Sequence, residues 1–155
     1  MNLARSFRIS CNAVFGGRTS RLFSALPPVL ALALIWPFGG GTQINLMPGS
    51  LTPGAQGTVN IKKGGNGNTK LDINVSALAQ PGSLTPSENA YVVWIEPPGH
   101  PAQNIGRITV NKHEHGELHA ETPYKRFKLV ITAQHNAQAQ MPNGNTILSG
   151  TVTHH

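Results

Sequence analysis

Residues 58–76, TVNIKKGGNGNTKLDINVS, decide the fold class of this chain, because two alternating runs flank a segment rich in glycine and asparagine. Val59 and Ile61 alternate with polar residues in the first run, and Leu71 and Ile73 do so in the second. Alternation with a period of two is the pattern of a strand with one buried face. Glycine and asparagine tolerate the positive φ angles of tight turns. The stretch therefore predicts a β-hairpin.

The same pattern recurs after residue 41, where no stretch has helical periodicity of useful length. AYVVWIEP at 90–97 is apolar at consecutive positions, so this strand should be buried on both faces and lie centrally in a sheet. Short strands at regular spacing, separated by turn signals, are typical of a β-sandwich. We predict an all-β protein, a single small β-sandwich of about seven antiparallel strands with an Ig-like or Greek-key arrangement. The remaining strands are predicted at RITV (107–110), ELHAET (117–122), RFKLVITA (126–133) and TILSGTVT (146–153).

The hexapeptide PGSLTP occurs twice, at residues 48–53 and 81–86, and each copy precedes a predicted strand. Proline cannot donate a hydrogen bond to a β-ladder. A solenoid needs at least three units, and no third copy follows. We interpret the hexapeptide as a turn used twice, with duplication of a strand pair as the alternative.

The first 41 residues differ from the rest in composition. Four arginines, the last of them Arg21, precede an apolar segment at residues 22–38 that is interrupted by Pro27-Pro28. The part beyond the prolines is closer to a signal-peptide core of roughly 7–15 residues than to a membrane span of about 20. We predict that residues 1–41 are a basic region with a signal peptide or a membrane anchor. Residues 42–155 are then an exported domain, periplasmic, extracellular or held at the membrane outside the cytoplasm.

The charge and cysteine content narrow the function classes. The whole chain has a formal charge of +6, but residues 42–155 hold eight basic and six acidic side chains, a formal charge of only +2. A basic surface is the main signal of nucleic-acid binding, so we predict no nucleic-acid partner. The only cysteine, Cys11, lies in the targeting segment. The predicted domain therefore has no disulfide, no thiol nucleophile and no cysteine-ligated metal.

Two segments, NAYVVWIEPPGHPAQNIGRITVN (89–111) and TPYKRFKLVITAQ (122–134), together resemble the extracytoplasmic domain of anti-sigma-K factors and of small exported relatives. The resemblance implies a compact β-sandwich outside the membrane and no catalytic residues. The chain departs from the family in two places. Before the apolar segment it has only about twenty arginine-rich residues and no zinc-associated helical domain, so sigma-factor binding is not implied. Gln134 stands where the family often has an acidic residue.

Histidine is the unusual residue of this sequence, since all seven histidines follow residue 99. The densest group is KHEHGELHAE at 112–121. Alternate residues of a strand share a face, and imidazoles at that spacing can bind Zn²⁺ or Cu²⁺. The alternative is a solvated turn, with Gly116 in the turn and the histidines divided between two strands. The candidate metal ligands are His113, His115, His119 and Glu117, which His135 or His100 could join from neighbouring loops.

The loop EPPGHPAQNIG at 96–106 is a candidate binding loop, because polar groups on a rigid proline-glycine frame often bind ligands. Its candidate residues are His100, Gln103 and Asn104. The alternative is a long connection that crosses between sheets.

No Gly-x-Ser-x-Gly nucleophile elbow occurs in the sequence, and Asp72 is the only aspartate. We therefore predict a non-enzymatic module of the bacterial cell envelope that binds or scaffolds at the outer face of the membrane. Its partner is an unknown envelope protein or polymer, residues 22–38 are a candidate membrane anchor, and no cofactor is expected. The alternative is an exported protein that binds Zn or Cu through the 113–119 cluster, and a hydrolase is the third hypothesis.

Overall fold

The computed structural model describes residues 41–155, so residues 1–40 of the predicted targeting segment lie outside the described residues. The described part is all-β, with eight antiparallel strands and two single turns of 3-10 helix at Gly65–Gly67 and Pro81–Ser83. Within residues 41–155, no helix is long and apolar enough to cross a membrane. The strands are β1 (Thr42–Pro48), β2 (Gln56–Lys63), β3 (Thr69–Ser76), β4 (Ala90–Glu96), β5 (Gln103–Ile108), β6 (Gly116–Thr122), β7 (Arg126–Gln134) and β8 (Asn145–Thr153).

The strands form one nearly closed sheet in the order β5-β4-β7-β8-β1-β2-β3-β6. Strand β1 joins its two halves, since residues 42–46 pair with β2 whereas Met47 and Pro48 pair with β8. We call β1, β2, β3 and β6 the first half-sheet, and β5, β4, β7 and β8 the second half-sheet. The edge strands β5 and β6 meet through packing, because Gly106 lies directly against the side chain of Leu118. The predicted strand count of about seven was one short, and the strand it missed is β1.

The main core lies between the inner faces of the two half-sheets. The predicted hairpin is confirmed as β2 and β3, where Val59, Ile61, Leu71 and Ile73 are fully buried and the polar residues between them face outward. From the second half-sheet, fully buried side chains of β4, β7 and β8 complete this core, among them Tyr91, Val93, Leu129, Ile131 and Leu148.

Strand β4 is buried on both faces, as its sequence predicted. Its outer face carries Val92 and Trp94, which form a second cluster with Val130 of β7. Alanines of the 135–144 segment, together with Ala102, pack on this cluster. The indole N–H of Trp94 donates to Thr132 Oγ1 at 2.9 Å, so the buried polar atom is satisfied. The second buried face thus comes from a covering loop, since no other sheet lies on it in the described part of the chain.

The two copies of PGSLTP differ in conformation. The first starts at Pro48, the last residue of β1, and Gly49 N–H donates to Ile147 C=O at 2.7 Å. The second begins with the 3-10 turn Pro81–Ser83 and contains a cis bond between Thr85 and Pro86. Each copy lies between two strands and leads toward the second of them.

Candidate functional site

The outer face of the first half-sheet carries polar side chains in register across three strands. Every second residue along β2, β3 and β6 lies on this face, and the antiparallel pairing of the strands aligns these residues into rows. The rows are polar because no other layer packs on this face within residues 41–155, so these positions meet solvent. One row contains Thr58, Asn74 and Glu117, and the next contains Asn60, Asp72 and His119.

A groove of about 710 Å³ lies at one end of this face. One wall is the row of Thr58, Asn74 and Glu117. A second row, Gln56 of β2 and Ser76 of β3, also lines the groove. Between these two rows lies a third row that exposes mainly backbone on this face, because its positions alternate toward the core. That row contains Gly57, Val75 and Gly116.

The opposite wall is the segment that joins β5 to β6, which contributes Thr109, Asn111 and His115. Asn111 organises this wall, because its Oδ1 accepts hydrogen bonds from the backbone N–H groups of His113 (2.8 Å) and His115 (3.2 Å). Its own N–H donates to His115 C=O at 2.8 Å. A neighbouring loop holds the turn in place, since Leu78 N–H donates to Glu114 C=O at 3.2 Å. The wall is therefore held by internal bonds.

This turn differs from the sequence expectation in one respect. Gly116 was expected in the turn, but it is the first residue of β6. The Asn111 amide closes the turn over residues 111–115, and Glu114 supplies the positive φ of 61°. His113 and His115 consequently lie in the turn, whereas His119 lies on β6.

The predicted metal ligands are only partly brought together. His115 and Glu117 line the groove, and His113 is exposed in the turn. His119 lies on the outer face of β6, with its Nδ1 at 2.9 Å from Asp72 Oδ1. Across residues 41–155, no group of three or more His, Cys, Asp or Glu side chains is positioned to hold a metal ion. The metal site therefore stays a prediction.

The two histidines expected to join from other loops make contacts of their own. The ring nitrogen Nδ1 of His135 lies 2.6 Å from Glu88 Oε2. The ring of His100 packs at 5.3 Å from that of Tyr124.

The Asp72 carboxylate pairs with two neighbouring side chains on the outer face. Lys62 Nζ donates to Asp72 Oδ2 at 2.9 Å, and His119 contacts the other oxygen of the same carboxylate. The hydrogen bond from Lys62, followed by that from His119, holds the pKa of Asp72 below its ordinary value of 3.8. In the next row, Lys70 lies opposite Glu121 in register. The face is therefore polar with little net charge.

The predicted binding loop lies elsewhere, beside the 135–144 segment. Gln103 Nε2 donates to the hydroxyl of Tyr124 at 3.1 Å, and Asn104 Nδ2 donates to the backbone carbonyls of Ala137 (3.0 Å) and Ala139 (3.2 Å). Gln103 and Asn104 also line a second depression of about 630 Å³. These two hydrogen bonds from Asn104 therefore hold in place the segment that packs over Trp94.

Sequence reasoning missed the residues that define the groove on β2 and β3. The available signal was their position, since Gln56, Thr58, Asn74 and Ser76 occupy the alternate positions opposite the buried residues of the hairpin. Alternation shows that such residues face outward, but it does not show that they border a concave surface.

The sequence matches no known family model and no curated protein. The fold and the groove therefore define this chain only by class, as an all-β domain with a polar groove on an open sheet face. The resemblance of residues 89–133 to anti-sigma-K factors stays a prediction.

Proposed function

We propose that this chain is a non-enzymatic binding module of the bacterial cell envelope, and that it takes its ligand in the groove described above. The observation that carries the proposal is the groove itself, about 710 Å³ in volume and lined by side chains from two walls. Concave sites with a few convergent polar groups are where ligands bind most often.

The lining side chains are available to a ligand. Those of Gln56, Thr58, Asn74, Ser76 and Glu117 make no hydrogen bond to another residue within 41–155, whereas Asn111 of the opposite wall is used internally. A ligand that bonds to these groups displaces only water and breaks no internal contact. The turn that forms the opposite wall is already ordered, which lowers the conformational cost of binding.

The same proposal includes export of the domain and a Greek-key β-sandwich fold of Ig-like type. The basic start and the apolar segment at residues 22–38 support export, with either cleavage or retention as an anchor. The two half-sheets enclosing one core support the assignment to Greek-key β-sandwiches of Ig-like type. The family resemblance supports both inferences without implying sigma-factor binding.

The test is co-sedimentation of the full chain with detergent-extracted envelope material from the bacterium that expresses it. Detergent keeps a membrane-anchored chain in solution, so sedimentation then reports binding by the domain. We expect the wild type to sediment and the Asn74→Ala/Glu117→Ala variant to stay in the supernatant. The matched control is Asn60→Ala/Glu121→Ala, which makes the same two changes on the same face outside the groove and should sediment like the wild type. Equal sedimentation of both variants would contradict the proposal.

Metal binding is kept as the second candidate function, because one observation favours it. His119 Nδ1 and Asp72 Oδ1 lie 2.9 Å apart on an exposed face, which is close enough for two ligands of one ion. Glu117 and Glu121 flank His119 at alternate positions of the same strand. Calorimetric titration of the full chain with Zn²⁺ and Cu²⁺, beside His119→Ala and His113→Ala/His115→Ala variants, tests this candidate. Heats equal to dilution would exclude it.

A further inference from the structure

We infer that the groove recognises an uncharged, hydroxyl-rich glycan strand that lies across β2, β3 and β6. This inference rests on the proposed function and adds the chemical class of the ligand. It is drawn from the hydrogen-bonding capacity of the lining residues, their spacing and their charge.

The lining groups match the chemistry of sugar hydroxyls, each of which both donates and accepts hydrogen bonds. An amide side chain offers two N–H donors and one carbonyl acceptor, and a hydroxyl offers one donor and two lone pairs. Gln56 and Asn74 supply amides, and Thr58 and Ser76 supply hydroxyls. Glu117 adds a carboxylate, which accepts from two neighbouring hydroxyls at once.

The spacing of these groups follows the strands. Thr58, Asn74 and Glu117 are register partners on three adjacent strands. Adjacent strands lie about 4.8 Å apart, which is close to the length of one hexose unit in a glycan chain. A strand of sugars that runs perpendicular to β2, β3 and β6 therefore meets one polar side chain for each unit.

The charge of the groove excludes an anionic ligand. No lysine or arginine is among the lining residues, the only acidic side chain is that of Glu117, and His115 lies on the opposite wall. In the neighbouring row, the carboxylate of Asp72 is already paired with Lys62. Polyphosphates and acidic polysaccharides therefore find no cation here and would meet the Glu117 carboxylate.

The affinity of one site should be low. No aromatic side chain lines the groove to stack on a sugar ring, so binding depends on hydrogen bonds that replace bonds to water. We expect dissociation constants of about 0.1–1 mM for a single oligosaccharide. A polymer that offers many copies of the repeat to many copies of the domain would be held far more firmly through avidity.

The test is an NMR titration of the full ¹⁵N-labelled chain with five neutral hexasaccharides: cellohexaose, maltohexaose, laminarihexaose, mannohexaose and chitohexaose. The side-chain amide signals of Gln56 and Asn74 report on the groove, and the indole N–H of Trp94, buried beneath the 135–144 segment, is the internal control. Hexagalacturonate is the matched anionic probe. We expect at least one neutral hexasaccharide to shift the groove signals and hexagalacturonate to leave them unchanged. Asn74→Ala should weaken the binding by at least fivefold, whereas Asn60→Ala should leave it unchanged.

Three results would overturn the inference: no groove shift with any neutral hexasaccharide, stronger binding of hexagalacturonate, or equal weakening by Asn74→Ala and Asn60→Ala. If the groove variant still loses co-sedimentation with envelope material while no hexasaccharide binds, the glycan assignment fails and the proposed function stands. If the groove variant also sediments normally, both fail.

Discussion

Gly144 lies where no larger residue fits, so Gly144→Ala should strongly destabilise the domain. It immediately precedes β8, and a Cβ atom there would lie 1.8 Å from the carbonyl oxygen of Ala133 and 2.9 Å from its carbonyl carbon. Both atoms belong to the backbone of β7, which pairs on its two sides and cannot rotate away as a side chain could. An added methyl group in a packed site costs about 1–3 kcal/mol, and the backbone contact places this substitution at the upper limit, about 3 kcal/mol.

A loss of that size lowers Tm by roughly 12 °C for a domain of this length. The assay is thermal and urea denaturation of the full chain followed by circular dichroism. The matched control is Gly82→Ala, since a Cβ at Gly82 meets nothing within 4 Å, and its effect should stay within about 0.5 kcal/mol. Hydrogen exchange in the 135–144 segment should also accelerate in Gly144→Ala. A Gly144→Ala variant as stable as Gly82→Ala would refute the reasoning.

Three further predictions concern single side chains. Burial raises the pKa of Tyr91 to about 12 from its ordinary value of 10.0, so the free energy of unfolding should fall as the pH rises between these values. Ultraviolet titration should show one tyrosine that ionises late, and the Tyr91→Phe variant should lack that signal. The folded-state pKa of Asp72 lies below its ordinary value of 3.8. The ionised carboxylate therefore stabilises the fold fully above pH 3.8, and this stabilisation is lost as the pH falls through the folded-state pKa. Asp72→Asn should therefore flatten the acid limb of a Tm–pH curve, and an unchanged limb would contradict the assigned ion pair. Asn104→Ala removes both hydrogen bonds to the 135–144 segment and should cost about 1–2 kcal/mol, with faster limited proteolysis in that segment than in the loop after Pro81.

The hairpin could be predicted from sequence because its register is local. Leu71 and Ile73 alternate with residues that face solvent, and the turn between the two strands is short. Strand β1 could not be found in this way, because Leu46 is its only buried residue. Part of its pairing is also distant, since Met47 and Pro48 pair with Ser149 and Leu148 of β8.

The sequence also did not predict which segment packs over Trp94. AYVVWIEP predicted burial on both faces, but the residues of the 135–144 segment that pack on Trp94 are two small alanines among polar residues, and its one large apolar residue, Met141, is exposed. That segment is held by Asn104, a residue for which sequence alone suggested a binding role.

The groove could not be predicted because its walls are distant in sequence. Thr58 and Asn74 belong to the hairpin, whereas Asn111 and His115 precede β6. They meet only because β3 pairs with β6, and nothing local specifies that pairing. The sequence did single out His115 and Glu117, but as metal ligands.

The pairing of β1 with β8 has a consequence for when this chain can fold. Met47 and Ser149 are partners although on the order of 100 residues separate them, so their contact closes a long loop at a cost in chain entropy. Proteins dominated by such distant pairings fold in milliseconds to seconds. Because β8 is synthesised after the other seven described strands, β7 and β1 each have a partner on one side only until residues 145–153 have left the ribosome. A nascent chain therefore keeps its sheet open until β8 has emerged, and a chain that crosses a membrane as it is made would complete this sheet only on the far side.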